Sequence, residues 1–304
     1  MPIKPNLFII GAPKSGTTSL AYELSSHPSV FCGVKEPRYF DAPTFYDFES
    51  DFPIKSLDEY LKLYESSKSR HAEYSIDASV FNMYSRESLQ KILDLSPNAK
   101  FIVCLRDPLD ATKSMHRQRL KYTEPHMREL SEDLESSWRA LELRRSGEGY
   151  PYGCRNRFIF RYDLLFRYEL YILALDEMIP PENIIFINFE VYRSDPIKVH
   201  QEIIRWLGLQ PHNLSHLRLN EGYTVSSNVI TRSLHRCVRY TSPIRKFLHL
   251  DRGKLRFLVK FYRAVMRTYD FRPQTCEIDD EIRIFFSNTY DVMDEVFRRN
   301  KVNS

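Results

Sequence analysis

Glycine is scarce in this chain, at 9 of 304 residues, or about 3% where roughly 7% is usual. Cysteine is also rare, and its five residues are odd in number and never form a Cys-x-x-Cys pair. This argues against a disulfide framework or a zinc knuckle. Long hydrophobic runs are missing too, and the apolar run that follows Met1 is too short for a signal peptide. We therefore expect a soluble, cytoplasmic protein.

The remaining composition is that of an ordinary globular protein. Hydrophobic residues make up 42% of the chain and charged residues 28%, which excludes disordered and collagen-like classes. No Gly/Ser/Pro-rich linker or internal repeat marks a boundary. We expect a single domain over residues 1–304, with a nucleotide-binding core at about residues 6–209 and a helical, basic C-terminal extension at about residues 210–304.

Buried-strand patterns alternate with helical patterns along the core. Apolar runs predict strands at residues 6–10, 100–105 and 183–188. Asp195 is a plausible N-cap and Gly208 a plausible left-handed stop for the last helix of the core. The helical patterns cover residues 17–26, 57–65, 86–95, 108–122, 130–145, 163–178 and 195–207. This alternation predicts an α/β fold in which a central parallel sheet is flanked by helices.

The scarce glycines are concentrated early, and Gly11 and Gly16 bracket the turn between the first strand and the first helix. The segment GAPKSGTT, residues 11–18, has the glycine spacing of a Walker-type loop, whose backbone N–H groups point at an anion. A nucleotide triphosphatase has lysine directly after the second glycine, whereas Thr17 stands there and Lys14 lies inside the loop. We expect Lys14 to reach the bridging oxygen of a leaving group. A turn that binds nothing is the alternative.

The octapeptide PKSGTTSL, residues 13–20, resembles the 5′-phosphosulfate-binding loop of sulfotransferases that use 3′-phosphoadenosine 5′-phosphosulfate (PAPS). The resemblance implies a P-loop-like core that transfers a sulfuryl group in line from PAPS and releases 3′-phosphoadenosine 5′-phosphate (PAP). No metal is expected, because the chain lacks a Walker-B-like strand ending in Asp. The donor-binding residues that the resemblance implies in this loop are Lys14, Ser15, Gly16, Thr17, Thr18 and Ser19.

A second family signature is a strand that ends in arginine, followed eight residues later by a helical serine. Arg106 and Ser114, in FIVCLRDPLDATKSMHRQR, match it, and the resemblance implies that both hold the nucleotide 3′-phosphate. A guanidinium at the carboxyl end of a strand suits that role. The alternative is that Arg106 pairs with Asp107 or Asp110 and that Ser114 is a surface position. Arg232, in a later segment that resembles a loop of bacterial members, is expected to touch the same phosphate.

The segment GVKEPRYFD, residues 33–41, resembles the part of glycosaminoglycan-type sulfotransferases that supplies a glutamate base. Glu36 is therefore the expected catalytic base, and sulfuryl transfer needs one to take the proton of the acceptor. Lys35 or Arg38 is expected to keep Glu36 ionised or to bind an acidic acceptor. An ordinary solvated pair of Lys35 and Glu36 is the alternative. The next candidates for the base are Asp77 and His71.

The acceptor is expected to carry a hydroxyl, on a sugar, a lipid or a small molecule. Residues 144–161 hold three glycines and five arginines, which favours either a mobile lid over the acceptor or a plain basic loop. Residues 232–267 contain eleven Lys/Arg and one acid, Asp251. The amphipathic pattern at residues 245–267 suits peripheral contact with an anionic membrane or packing on the domain.

Two other functions compete with the sulfotransferase hypothesis. One is a P-loop nucleotide kinase or triphosphatase, which magnesium-dependent ATP turnover would favour. The other is a nucleic-acid or membrane-surface binding protein that uses the basic C-terminal segment and has a degenerate loop. Under the leading hypothesis no nucleic acid is bound.

Overall fold

A parallel sheet of five strands forms the centre of the molecule. A computed structural model of the chain describes residues 4–46, 52–122, 124–213 and 277–299. The strands are β1 (Leu7–Gly11), β2 (Val30–Cys32), β3 (Tyr74–Asp77), β4 (Lys100–Leu105) and β5 (Ile184–Asn188), in the spatial order β2-β3-β1-β4-β5. The predicted α/β fold with a parallel sheet is confirmed.

Helices connect the strands and cover both faces of the sheet. Before β4 they are α1 (Thr17–Leu24), α2 (Ala42–Phe45), α3 (Leu57–Lys62) and α4 (Arg86–Leu95). Between β4 and β5 they are α5 (Pro108–Leu120), α6 (Leu134–Arg139), α7 (Leu141–Arg145), α8 (Tyr162–Leu165) and α9 (Glu169–Met178). After β5 they are α10 (Phe189–Ser194), α11 (Pro196–Trp206), α12 (Glu277–Phe285) and α13 (Ser287–Arg299). None of the described helices is long and apolar enough to span a bilayer.

Each face of the sheet has its own core, because side chains alternate between the faces of a strand. In β1, Phe8 and Ile10 join the larger core and Leu7 and Ile9 join the smaller one, all four fully buried. Burial on both faces explains why this strand is apolar without interruption.

The three strands predicted from apolar runs are present, but β2 and β3 were missed. Both are short, and Ser75 and Asp77 interrupt the apolar pattern of β3 although both are buried. The patterns at residues 130–145 and 163–178 each predicted one helix, and each is broken into two short helices. Hydrophobic periodicity does not predict short helices and strands whose polar residues are buried by tertiary contacts.

Helix α11 begins and ends where the sequence predicts. The Asp195 side chain accepts a hydrogen bond from the Lys198 N–H at 3.0 Å, and Gly208 takes the left-handed conformation with φ 71°. Both predicted ends are therefore confirmed. Ile197 is 61% exposed and is not part of the buried face. The buried face is instead Val199, His200, Ile203 and Ile204.

The strand order creates a crevice between β1 and β4. The chain leaves β1 toward β2 and β3 on one side and later crosses over to β4 on the other side. Loops after β1 and β4 therefore diverge, and α/β sheets bind ligands at such a point, outside the carboxyl ends of the strands. On the β4 side, α12 packs on α5, where Lys113 pairs with Asp279, and α13 packs on α9 and β5.

Candidate active site

The phosphate loop between β1 and α1 has backbone donors that make no backbone hydrogen bond within the described residues. Gly16 caps α1 with φ 77°, and the first N–H bonded within the helix is that of Leu20, to the Gly16 carbonyl at 3.1 Å. The N–H groups of the preceding residues therefore have no helical acceptor. A Cβ atom on Gly16 would lie 2.9 Å from the Phe189 ring, so only glycine fits. These N–H groups belong to Thr17, Thr18 and Ser19.

Lys14 stands in the middle of this loop and is surrounded by positive charge. Its backbone has φ 70°, which a residue other than glycine rarely adopts. Burial, and then the neighbouring cations, lower the pKa of Lys14 to about 8. Those cations are Lys121, Arg119, Arg106 and Arg117. So many cations around one ammonium group make a site that favours anions.

Arg106 joins the phosphate loop to the second predicted anion site. It follows β4, and its Nη1 atom donates to the Lys14 carbonyl at 3.2 Å. Its guanidinium lies 4.8 Å from the Phe189 ring centroid. Its nearest acids are Asp110 at 3.7 Å and Glu190 at 4.0 Å, and its buried Nε atom has no hydrogen-bond partner among the described residues. The two loops thus meet at the crevice between β1 and β4.

The pairing of Arg106 with Asp110 is observed, but pairing with Asp107 is not. Asp107 caps α5 by accepting from the Asp110 N–H at 2.9 Å, and it also accepts from the Tyr290 hydroxyl at 3.2 Å. Ser114 lies two turns along α5, is partly exposed and makes no hydrogen bond to another described residue. Its hydroxyl is therefore free to bind a ligand.

The segment after β2 carries Glu36 in a constrained turn. Glu36 and Arg38 have φ 56° and 58° and, with Lys14, are the residues other than glycine with positive φ in the described ranges. Lys35 pairs with the Glu36 carboxylate, which is about one-third exposed. Uncommon backbone conformations in non-glycine residues concentrate at functional sites. All three occur in the two segments that the sequence singled out.

Arg38 pairs with Asp41 and not with Glu36, whereas Lys35 contacts the Glu36 carboxylate. The Arg38 guanidinium donates twice to Asp41 Oδ2, at 2.8 and 3.0 Å, and once to the Tyr46 hydroxyl at 2.9 Å. It also lies 4.7 Å from the Phe81 ring centroid. Arg38 is thus committed to holding the turn.

Asp77, the alternative base, is connected to the same turn through Ser79, which contacts Arg38. It ends β3 and is fully buried, accepting from the Tyr60 hydroxyl at 2.6 Å and the Ser79 N–H at 2.8 Å. Burial raises the pKa of Asp77 to about 6 against the effect of these bonds. Ser79 Oγ in turn accepts from the Arg38 N–H at 3.0 Å. Both Asp77 oxygens are engaged inside the protein, whereas His71, the other alternative, lies exposed.

The loop at residues 144–161 is anchored by its first arginine. Arg144 is buried and pairs with Glu129, with Nη1 to Oε2 at 3.2 Å, and it donates to the Phe160 carbonyl at 3.0 Å. The Tyr162 hydroxyl donates to Glu129 at 2.5 Å. Arg144 is therefore an internal support and does not face an acceptor, although Arg145 and Arg157 are exposed.

Several residues at the site were missed by the sequence analysis. Phe189, Glu190 and Tyr192 follow β5 and line the crevice beside Gly16 and Arg106. The signal available for them was their position, directly after a buried strand, where parallel sheets place ligand-binding side chains. Arg119 and Lys121 were also missed, and the basic cluster RQRLK at the end of α5 was the available signal. Arg232 and residues 245–267 lie outside the described residues and stay predictions.

Comparison with known proteins places this site in a family. The family model described as "Sulfotransferase domain" matches residues 4–229. The chain belongs to the sulfotransferase family. Members of this family use PAPS as the sulfuryl donor, so this membership supports the sulfotransferase hypothesis over the kinase and nucleic-acid alternatives.

The sequence relatives are longer enzymes, and this chain matches only a part of each one. The human bifunctional heparan sulfate N-deacetylase/N-sulfotransferase 3 is 24% identical over 273 residues, covering 85% of this chain and 28% of the relative. The mouse N-deacetylase/N-sulfotransferase 4 is 24% identical over 262 residues, covering 85% of this chain and 29% of the relative. This chain thus spans less than a third of their length.

A solved structure shares the fold. The sulfotransferase from Alicyclobacillus acidocaldarius superposes with a TM-score of 0.60 at 23% identity, covering 84% of this chain and 99% of that one. At this identity the likeness supports the fold alone.

Proposed function

We propose that this sulfotransferase carries out in-line transfer from PAPS to a hydroxyl or amino group in the crevice between β1 and β4. The observation that carries the proposal is the hydrogen bond from Arg106 to the Lys14 carbonyl, because it couples two cationic sites at the carboxyl edge of the sheet. A donor with phosphate on both sides of its ribose needs two such sites, and ATP does not.

The residues present fit such a donor. The α1 N-terminus offers N–H groups that have no helical acceptor, and Lys14 offers a cation whose pKa is lowered by burial and by neighbouring cations. Arg106 has a buried Nε atom that makes no hydrogen bond to another described residue. Each feature is costly without an anion and is satisfied by one. PAPS, when bound, supplies the sulfuryl group. The phosphate loop would hold its 5′ end, with Ser114 beside Arg106, and Arg232 if its prediction holds, on the 3′-phosphate.

Three side chains have separate roles in the proposed sulfuryl transfer. Glu36 takes the acceptor proton, because its side chain is about one-third exposed whereas Asp77 is fully buried. Lys14 neutralises the oxygen that leaves with PAP. Asp77 acts through Ser79 and Arg38 as a positioning residue for the Glu36 turn.

The acceptor class is proposed on chemistry and similarity together. Our first expectation is a hydroxyl, and an amino group is the second candidate because the human and mouse relatives are named N-sulfotransferases. A screen with radiolabelled PAPS against paired amino and hydroxyl sugars, lipids and small molecules, followed by mass analysis, identifies the nucleophile. Peripheral membrane contact through residues 245–267 stays a prediction that liposomes in the same screen would test.

Removal of Arg106 tests the donor site directly. We expect Arg106→Ala to weaken PAP binding about 10- to 100-fold, because charge-assisted hydrogen bonds to a phosphate are lost. Titration calorimetry with PAP measures the effect, and Arg86→Ala is the matched control, since Arg86 is an exposed arginine paired with Glu177. If wild-type protein fails to bind PAP, or Arg106→Ala binds it normally, the proposed donor site is wrong.

The affinity for PAP should depend on pH through Lys14. Its pKa of about 8 in the free protein means that the ammonium form, which an anion requires, is lost as pH rises above 8. PAP affinity should then fall by up to about tenfold per pH unit until the higher pKa of the bound lysine is reached. Among the surrounding cations, the pKa of Lys121 is also lowered by burial.

Lys14→Arg distinguishes the two lysines, because arginine stays charged at high pH. Calorimetry from pH 7 to 10 should show a flatter profile for this variant than for the wild type. An identical fall in both proteins would assign the titration to Lys121 instead.

A further inference from the structure

Arg119 is a buried cation that no acidic group of the described protein neutralises. It lies on the buried face of α5 and is 5% exposed, yet it makes no ion pair within the ranges that the structure describes. Its Nε and Nη1 atoms have no hydrogen-bond partner there. The guanidinium carbon lies 4.2 Å from the Tyr122 ring centroid, which is a cation–π contact within the described residues. Burying a charge whose hydrogen-bond donors have no acceptor destabilises the folded protein, and a bound anion would offset that cost.

The buried acid that contacts the Arg119 backbone, Glu129, is already fully used. Glu129 donates its backbone N–H to the Arg119 carbonyl, but its carboxylate accepts from Arg144 and from the Tyr162 hydroxyl on Oε2 at 3.2 and 2.5 Å. Its other oxygen accepts from Arg144 and from the Leu130 N–H at 2.9 Å. Four donors fill both oxygens, so Glu129 is not available to Arg119.

On its other side Arg119 is close to Lys14. Arg119 is among the cations whose charge depresses the pKa of Lys14. Arg119 therefore lies within electrostatic range of the phosphate loop, and its backbone carbonyl contacts Glu129. The two phosphate groups of the donor already have partners in the proposed function, at the α1 N-terminus with Lys14 and at Arg106 with Ser114. Arg119 is left without a phosphate to bind.

We infer that Arg119 is a further anion-binding residue, whose guanidinium fork holds an oxyanion next to Lys14 that is neither phosphate of PAP. The inference rests on the proposed function. Two groups have this chemistry, the sulfuryl group during transfer and an acidic group on the acceptor. A planar guanidinium, whose donors can bind two oxygens side by side, suits the paired oxygens of either one.

Inorganic sulfate in the presence of saturating PAP is the probe for the first source. With the phosphate sites filled, sulfate should raise the melting temperature of the wild-type complex further. In Arg119→Met we expect PAP affinity to be retained while sulfate binds about 10- to 100-fold more weakly. Arg119→Lys keeps the charge but not the fork and should give an intermediate loss, and it serves if Arg119→Met does not fold. Arg86→Met is the matched control.

The second source is tested with acceptors. Glucosamine and the same sugar linked to a glucuronate compare a neutral acceptor with an acidic one. A rise in KM for the acidic acceptor alone in Arg119→Met, with sulfate binding unchanged, assigns the oxyanion to the acceptor. If sulfate binding and the acidic preference both survive in Arg119→Met and in Arg119→Lys, the inference is overturned. Failure of the wild type to bind PAP would instead overturn the proposed function.

Discussion

Glu36→Gln should bind PAP as the wild type does and lose about 10²- to 10⁴-fold in kcat, the range for removal of a general base. Glutamine keeps the size and hydrogen-bonding reach of the side chain, and it preserves the left-handed backbone at this position, where φ is 56°. The variant therefore removes proton acceptance together with the ion pair to Lys35. Turnover of labelled PAPS with the best acceptor of the screen, together with calorimetry for PAP, measures both quantities.

Asp77→Asn is the matched comparison for that experiment. Its two oxygens are engaged by Tyr60 and Ser79, so the amide must give up one of these bonds and the Glu36 turn should loosen. We expect a smaller loss in kcat than for Glu36→Gln, accompanied by a lower melting temperature. Near-normal turnover in Glu36→Gln with the larger loss in Asp77→Asn would transfer the role of base to Asp77.

Strands that are apolar throughout could be predicted from the sequence. β1 and β4 are buried on both faces, so their sequences carry no polar interruption and their signal is strong. β3 carries Ser75 and Asp77 inside the protein, because Asp77 is satisfied by Tyr60 and Ser79, which lie elsewhere in the chain. A single-sequence pattern does not contain those partners, and the strand was missed for that reason.

The same limit separates the predicted site residues from those that were missed. Lys14 and Arg106 occupy strand-to-helix junctions, where the fold class alone places ligand contacts. Phe189 reaches Gly16 only because β5 lies beside β4 in the sheet. Arg119 is inside a helix, and its isolation from acids depends on how Glu129 is used by Arg144 and Tyr162. Both facts follow from packing between distant segments.

Lys14→Met is the second variant for which we expect a large effect, about 10²- to 10³-fold in kcat, because a cation facing a developing negative charge is removed. Methionine has similar length, and at φ 70° it carries the same backbone cost as lysine. If Lys14 acts on the oxygen that leaves with PAP, its interaction grows as the bond to sulfur breaks. The fall in kcat should then exceed the fall in PAP affinity, as kinetics and calorimetry on the same preparation would show. Equal losses would mean that Lys14 binds donor and transition state alike and serves binding only.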